Sequence, residues 1–457
     1  MVHNGELKTG VRDTFEDFIK KQFPERGENE FDRWDIYKLT KLFTEKLYGE
    51  YLLTDEHSLK LFKRVLYGIE SANVSMKDYD ILLSGLFNKL NSIDIINAIP
   101  RRMILIFETI KLIGFIIYTT SKDLGNLEIA KRHITHLILK YWHWVLKKKY
   151  DTNERIMKYF LPMLIFYFDK VLHEYFEKTI PFAVLKDGLS FDKGGRYEEI
   201  GYTFRTMDYL QYFVVKLLYD ISMKNNYDKE DIRRGLITII NQNSVSSRPL
   251  LDIHSLTIVS VINIFIIIGD LESAENYLKK TFQDIYTGKE KANRWPDSNN
   301  NIKSVIKYTI TGKKPIYYSD STSLLLATLF EFLPLFDLKE EYDVYREWII
   351  KFDIDLGVFI PFHRNEYCSL LTQDKENDLE EQLFSRSFRD GYQTSLTLDK
   401  DFEVFKNKII KKNNEFRYEY RTDMSGLPFL RYLAHIYYKT PFFPDEWRHF
   451  NELNNDI

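Results

Sequence analysis

Residues 286 to 315 carry a local charge of +5 in a chain whose total is −3. Lys289, Lys291, Arg294, Lys303, Lys307, Lys313 and Lys314 stand there against Glu290 and Asp297 alone. Trp295 and Tyr308 lie among these charges, and Tyr317 and Tyr318 follow. Basic groups attract a polyanion backbone, and aromatic rings stack on its bases. Lys289, Lys291, Arg294, Trp295, Lys313 and Lys314 are therefore the candidate polyanion-binding residues. The same composition also suits a solvated linker.

Other chemistry-bearing groups are more scattered. His133, His136 and His143 share one helical segment, within an arc of about 80° at about 100° per residue. Ala130, Ile134, Ile138, Tyr141 and Val145 point elsewhere, which places His136 and His143 near the polar face as solvated side chains. No metal is implied. Cys368 is the single cysteine and lies five positions from His363. A Cys–His pair can make a nucleophile, but closeness in sequence does not create one, and a buried thiol is the expectation. Asp374, Glu376, Asp378, Glu380 and Glu381 form an acidic run suited to a helix start, where carboxylates meet the positive end of the dipole. Asp353, Asp355, Glu403 and Lys406 are the residues that a hydrolase or nuclease in the C-terminal third would use.

The familiar catalytic patterns are missing from the sequence. The run Gly188 to Gly195 lacks the Lys-Ser/Thr ending of a phosphate loop. His173-Glu174-Tyr175-Phe176-Glu177 has Glu where the second zinc-binding His belongs. There is no Gly-x-Ser-x-Gly elbow, dinucleotide fingerprint or kinase set. No cofactor is expected.

Composition narrows the class further. The chain has 457 residues, 44% hydrophobic and 29% charged, which is globular rather than disordered usage. Only 19 Gly and 12 Pro leave few tight turns, against a many-stranded β-protein. A net charge of −3 gives no global attraction to nucleic acid or membrane, so any such site must be local. One cysteine allows no internal disulfide and fits a reducing, cytoplasmic setting. The first residues carry no apolar signal-peptide core. The apolar runs Leu256 to Ile268 and Met103 to Tyr118 fall short of a bilayer span and read as buried helices.

Helical spacing runs through most of the chain. Ile36, Leu39, Leu42, Phe43 and Leu47 make one stripe, and Leu59, Phe62, Leu66 and Ile69 another. Ser75 and Asp78 fit a capping box. Pro100 suits a helix start, and Pro162 predicts a kink or boundary. Helices are expected over 204–223, 228–240, 324–333 and 427–438. Phe416, Tyr418 and Tyr420 alternate with charge, which suggests a short strand. Four regions result: an N-terminal helical region over 1–99, a central hairpin array over 100–286, a basic loop or linker over 287–320, and a C-terminal helical region over 321–457 with short strands.

Three helix starts look alike. They are Gly125-Asn126-Leu127-Glu128-Ile129-Ala130, Gly269-Asp270-Leu271-Glu272-Ser273-Ala274 and the poorer Asp337-Leu338-Lys339-Glu340-Glu341. Apolar residues recur after each: Leu127, Ala130, Ile134, Ile138 and Tyr141; Leu271, Ala274, Leu278, Phe282 and Ile285; Leu338, Tyr345, Ile349 and Phe352. Gly ends one helix in a left-handed conformation, Asn or Asp caps the next, and Ala lets the pair approach. This resembles the tetratricopeptide family of helical hairpin repeats. The second and third starts are about 67 residues apart, near twice the ~34-residue period of that family. The resemblance implies a concave surface for a protein or peptide. The sequence thus describes a mainly α fold, stacked helical hairpins in a solenoid-like array or irregular bundle. The function expected of it is a noncatalytic scaffold that binds another macromolecule, a protein above all. A C-terminal hydrolase or nuclease and a nucleic-acid-binding module using residues 286–315 are the alternatives.

Overall fold

Apolar residues at steps of three and four build helices almost throughout, and the chain is mainly α. The computed structural model describes residues 55–71, 75–93, 98–190, 199–223, 228–361, 391–415, 420–442 and 445–448, with a few isolated positions elsewhere. The stripe from Ile36 to Leu47, His363, Cys368 and the acidic run 374–381 lie outside the described residues, as does the strand expected over 416–421 except at its end, where Tyr420 precedes and Arg421 begins a short helix. The chain divides into two compact units. One comprises 1–141 and 154–167, the other 142–153 and 168–457.

In the first unit, α1 (Glu56–Glu70) and α2 (Met76–Asn91) pack as a pair. Leu61, Phe62, Val65, Leu66 and Ile69 fill the α1 face. Asp55 caps α1 by accepting from the Ser58 backbone N–H at 2.7 Å. It also takes the Lys89 ammonium from the end of α2 at 2.6 Å, which holds its carboxyl down at about 2. Ser75 caps α2 through the Lys77 N–H at 3.3 Å. The reciprocal half of the expected box is diverted, because Asp78 pairs with Arg64 at 3.1 Å instead.

Three further helices follow: α3 (Arg101–Asp123), α4 (Leu127–Lys147) and α5 (Glu154–Phe166). The helix α3 extends beyond its apolar run, and by length and composition its 23 residues would suffice to cross a membrane, but half of its apolar stretch is buried within the fold, as in a core helix. Pro162 sits inside α5 without ending it, and the helix loosens into a π turn at Tyr167–Leu172.

The second unit holds α6 (His173–Ala183), α7 (Glu199–Met223), α8 (Lys229–Gln242), α9 (Ser255–Ile268), α10 (Leu271–Ala292), α11 (Ile302–Thr311), α12 (Leu324–Leu335) and α13 (Lys339–Phe352). After them come α14 (Phe402–Glu415), α15 (Arg421–Met424), α16 (Pro428–Tyr438) and α17 (Asp445–Arg448). Strands Gly357–Pro361 and Gly391–Ser395 form an antiparallel pair with Gly357 opposite Ser395.

The three similar helix starts all prove to be turns between consecutive helices. Gly125 has φ +66° and Gly269 φ +81°, and Asp337 reaches +55° where the glycine is missing. Asp and Asn tolerate this region better than other side chains, which explains how the third turn forms. Asp270 caps α10 through the Ser273 N–H at 3.1 Å and binds Arg233 at 2.7 Å. Ala130 and Ala274 are fully buried. Between α10 and α13, Phe282 stacks on Tyr345 at 4.1 Å and Tyr286 on Trp348 at 3.8 Å. The abundant aromatics are thus spent on helix packing.

Candidate polyanion-binding surface

The basic segment is folded into the second unit. Helix α10 runs on through Lys289 and Lys291 to Ala292, and Asn293 turns the chain at φ +52°. Trp295, Pro296 and Asp297 then run inward. Asp297 lies beside Leu251 in a short parallel bridge, with the Asp252 N–H donating to its carbonyl at 3.1 Å. Its buried carboxylate accepts from the Asn301 N–H at 2.7 Å and the Ser319 N–H at 2.8 Å. One side chain therefore clasps both ends of the insertion. Asn300 accepts from the Ile253 N–H at 2.7 Å, and Asn301 caps α11 through Ser304. Leu251, Val305, Tyr308 and Tyr318 form the core beneath.

This fold sorts the candidate residues. Trp295 is 4% exposed, so its ring is not offered to a ligand. Tyr308 and Tyr318 are buried too, meeting edge to face at 4.9 Å. Lys289 lies over Trp295 and pairs with Asp320 at 3.6 Å. Lys314 pairs with the same Asp320 at 2.5 Å. Arg294 covers Tyr308 at 4.9 Å and donates to Thr309 at 3.2 Å. These contacts stabilise the segment. Lys291, Lys303, Lys307 and Lys313 remain exposed, with no ion pair among the described residues. The two acids of the segment do not neutralise them. Asp297 points inward, and Glu290 is taken by the Tyr286 hydroxyl and by Lys351 at 3.8 Å.

Apolar side chains of the same segment are exposed as well. Lys303, Lys307 and Ile310 fall within about 60° of one face of α11 at about 100° per residue. Ile310 is 68% exposed and Ile302 47%. In the following loop Ile316 is 97% exposed and Tyr317 71%. The Asn299 amide donates to the Tyr317 carbonyl at 3.1 Å, which holds this loop against the start of α11. Sequence reasoning noted Tyr317 but missed the isoleucines, since a hydrophobic residue in a helical stripe reads as core.

The other chemistry-bearing residues are structural in their settings. The expectation that His136 is solvated is overturned, since, while His143 is half-buried, His136 is buried, as His133 is. The face of α4 judged polar packs on α2, where Tyr79 contacts both rings and Asp80 binds His136 Nε2 at 2.8 Å. Lys140 joins Asp80 at 2.9 Å. Hydrogen bonding by His136 and Lys140 pulls the Asp80 carboxyl well below its ordinary range. Burial lowers His133 to about 4. Asp353 ends α13 at φ +50°, Asp355 bridges to Thr322, and Lys406 pairs with Asp337 at 2.5 Å.

Two buried carboxylates in the second unit serve helix ends and helix contacts. Asp252 accepts from the Ser323 hydroxyl and the Leu324 N–H, each at 2.5 Å, at the start of α12, and burial raises it to about 6. Glu331 binds Arg448 and accepts from Trp447 Nε1 at 2.8 Å. The cavity beside Glu331, lined by Ser255, Thr328 and Phe442, measures about 20 Å³ and has room for about one water. Among the described residues no group of three His, Cys, Asp or Glu could hold a metal ion. Comparison of the chain with protein-family models, with curated proteins and with solved structures finds no match in any of the three.

Proposed function

We propose that the chain is a noncatalytic helical scaffold that holds another macromolecule against the edge formed by α11 and the loop to Tyr317. The observation that supports this reading is the joint exposure of Lys303, Lys307, Lys313, Ile310, Ile316 and Tyr317 on a segment clasped by Asp297. Unpaired lysines favour a negatively charged partner. Exposed apolar side chains add surface that gains by leaving water. The segment sums to +5, and screening over about 8 Å makes such local charge weigh more than the chain's net −3.

Retention on immobilised heparin, a generic polyanion, tests this reading. Wild type is expected to bind at about 50 mM salt and to elute on a salt gradient. The Lys303→Glu, Lys307→Glu, Lys313→Glu triple variant should elute at lower salt. Flow-through of wild type, or unchanged elution of the triple variant, contradicts the proposal. All three positions are exposed and unpaired, so the substitutions leave the fold intact.

A further inference from the structure

The partner best matched to this edge is an anionic lipid bilayer, and we propose that Ile316 and Tyr317 enter its interfacial layer while the exposed lysines of the same segment meet the headgroups. This inference rests on the scaffold reading and adds the chemistry of the partner. Three observations carry it.

The first is shape. Ile316 is 97% exposed and Tyr317 71%, so the tip is convex. A protein or peptide ligand would need a pocket matched to that knob. A bilayer accepts a projecting apolar side chain without one. The second is residue type. Lysine is depleted in protein–protein interfaces, whereas lysines around Ile and Tyr suit the boundary between headgroups and acyl chains. Their long stems lie along the apolar layer and leave the ammonium in water. Lys303 and Lys307 share a face of α11 with the exposed Ile310, and Lys313 stands three residues before Ile316 in the following loop. The third is rigidity. The loop is tied by Asn299 to the Tyr317 carbonyl, by Asp297 to Ser319, and by Lys314 to Asp320. A fixed tip loses less conformational freedom on insertion than a mobile one. A nucleic acid fits less well, since Trp295, Tyr308 and Tyr318 are buried and offer no stack of rings.

Co-sedimentation of the full chain with vesicles tests the proposal. One set is phosphatidylcholine alone, and the other carries about 30 mol% phosphatidylserine, enough to give the negative surface potential that basic segments sense. Wild type should partition onto the anionic set and remain in solution with the neutral set. The Ile316→Ser, Tyr317→Ser variant should lose at least about tenfold in partition, as expected for withdrawing one large and one amphipathic side chain from the apolar layer. The lysine triple variant should lose binding and its salt dependence together. Equal sedimentation with both vesicle sets overturns the proposal, and so does an unchanged partition of the Ile316→Ser, Tyr317→Ser variant.

A labelled polyglutamate peptide and a single-stranded oligonucleotide serve as soluble polyanions. If either binds in a lysine-dependent way while anionic vesicles do not, the lipid proposal falls and the scaffold reading stands. If wild type is not held on heparin either, both fall. Fluorescence of Tyr317→Trp provides a second measurement: a blue shift on adding anionic vesicles is expected, and no shift at saturating lipid contradicts insertion.

Discussion

Asp297→Ala is the most informative single substitution in the second unit. The carboxylate is fully buried and accepts two backbone N–H groups, from Asn301 and Ser319, some twenty residues apart in sequence. Truncation strips both donors of their partner. Each unsatisfied donor costs about 1–3 kcal/mol, and both are only partly buried, which favours the lower half of that range. Relief of the buried charge offsets a part. The net loss is therefore about 2 kcal/mol, felt locally because a two-unit chain of this length does not unfold in one step. Amide hydrogen exchange reads such local opening. At about 1.4 kcal/mol per factor of ten, exchange through α11 and the loop to Ser319 should quicken by about 30-fold. Amides of α1, in the other unit, serve as the reference and should not change. Acceleration below about fivefold would show that the Asp297 contacts do not hold the segment, and the reasoning that makes its surface rigid would fail.

Three further expectations concern stability. Breaking the buried Glu331–Arg448 pair with Arg448→Ala leaves a carboxylate uncompensated and should cost about 3–5 kcal/mol, seen as a lower urea midpoint; a loss below about 1 kcal/mol would show the carboxylate finding another partner. Gly269→Ala forces a Cβ into φ +81° and should cost about 1–2 kcal/mol in the same assay, with an unchanged midpoint counting against the turn. Acid should weaken the first unit in two stages. His133 is held neutral, at about 4 folded against 6.5 unfolded, so its contribution is present above pH 6.5 and is lost as the pH falls through about 4, up to about 3 kcal/mol. Asp80, lowered by His136 and Lys140, contributes above about pH 3.8 and loses that contribution on further acidification, by about 1 kcal/mol at its half-exposed site. Exchange of α4 amides from pH 7 to 3, corrected for the intrinsic pH dependence of exchange, follows the first stage and the onset of the second, and His133→Phe should flatten the first; a profile level between pH 6.5 and 4 in wild type contradicts this account.

Helix content and several helix starts were legible because their causes are local. Ser323 accepts from the Leu326 N–H, Asp228 from the Glu230 N–H, and Gly269 takes its left-handed turn, each within a few residues of the signal. The burial of His133 and His136 was not legible. It depends on Tyr79 and Asp80, 56 residues from His136 along the chain and invisible to a reading of α4 alone. The hydrophobic period of α4 identified one buried face but could not reveal that the opposite face meets another helix. The candidate surface was half legible. The charge excess stood out in the sequence, but which lysines are free depends on distant acids. Asp320 holds Lys289 and Lys314, while Lys307 and Lys313 have no such neighbour. Trp295, the most conspicuous residue of the segment, is drawn inside because Asp297 folds the chain back on Leu251. Its role is packing, and the outward apolar residues are the less conspicuous Ile310 and Ile316.

On the proposed reading, one edge of the second unit is where this chain holds its partner. Amide exchange of the chain bound to a heparin oligosaccharide, against the chain alone, tests it most directly. The account predicts slowed exchange over 302–317, centred on Ile310 to Tyr317, and unchanged rates through α1, α2 and α9. Protection that falls elsewhere while the oligosaccharide is demonstrably bound would contradict it.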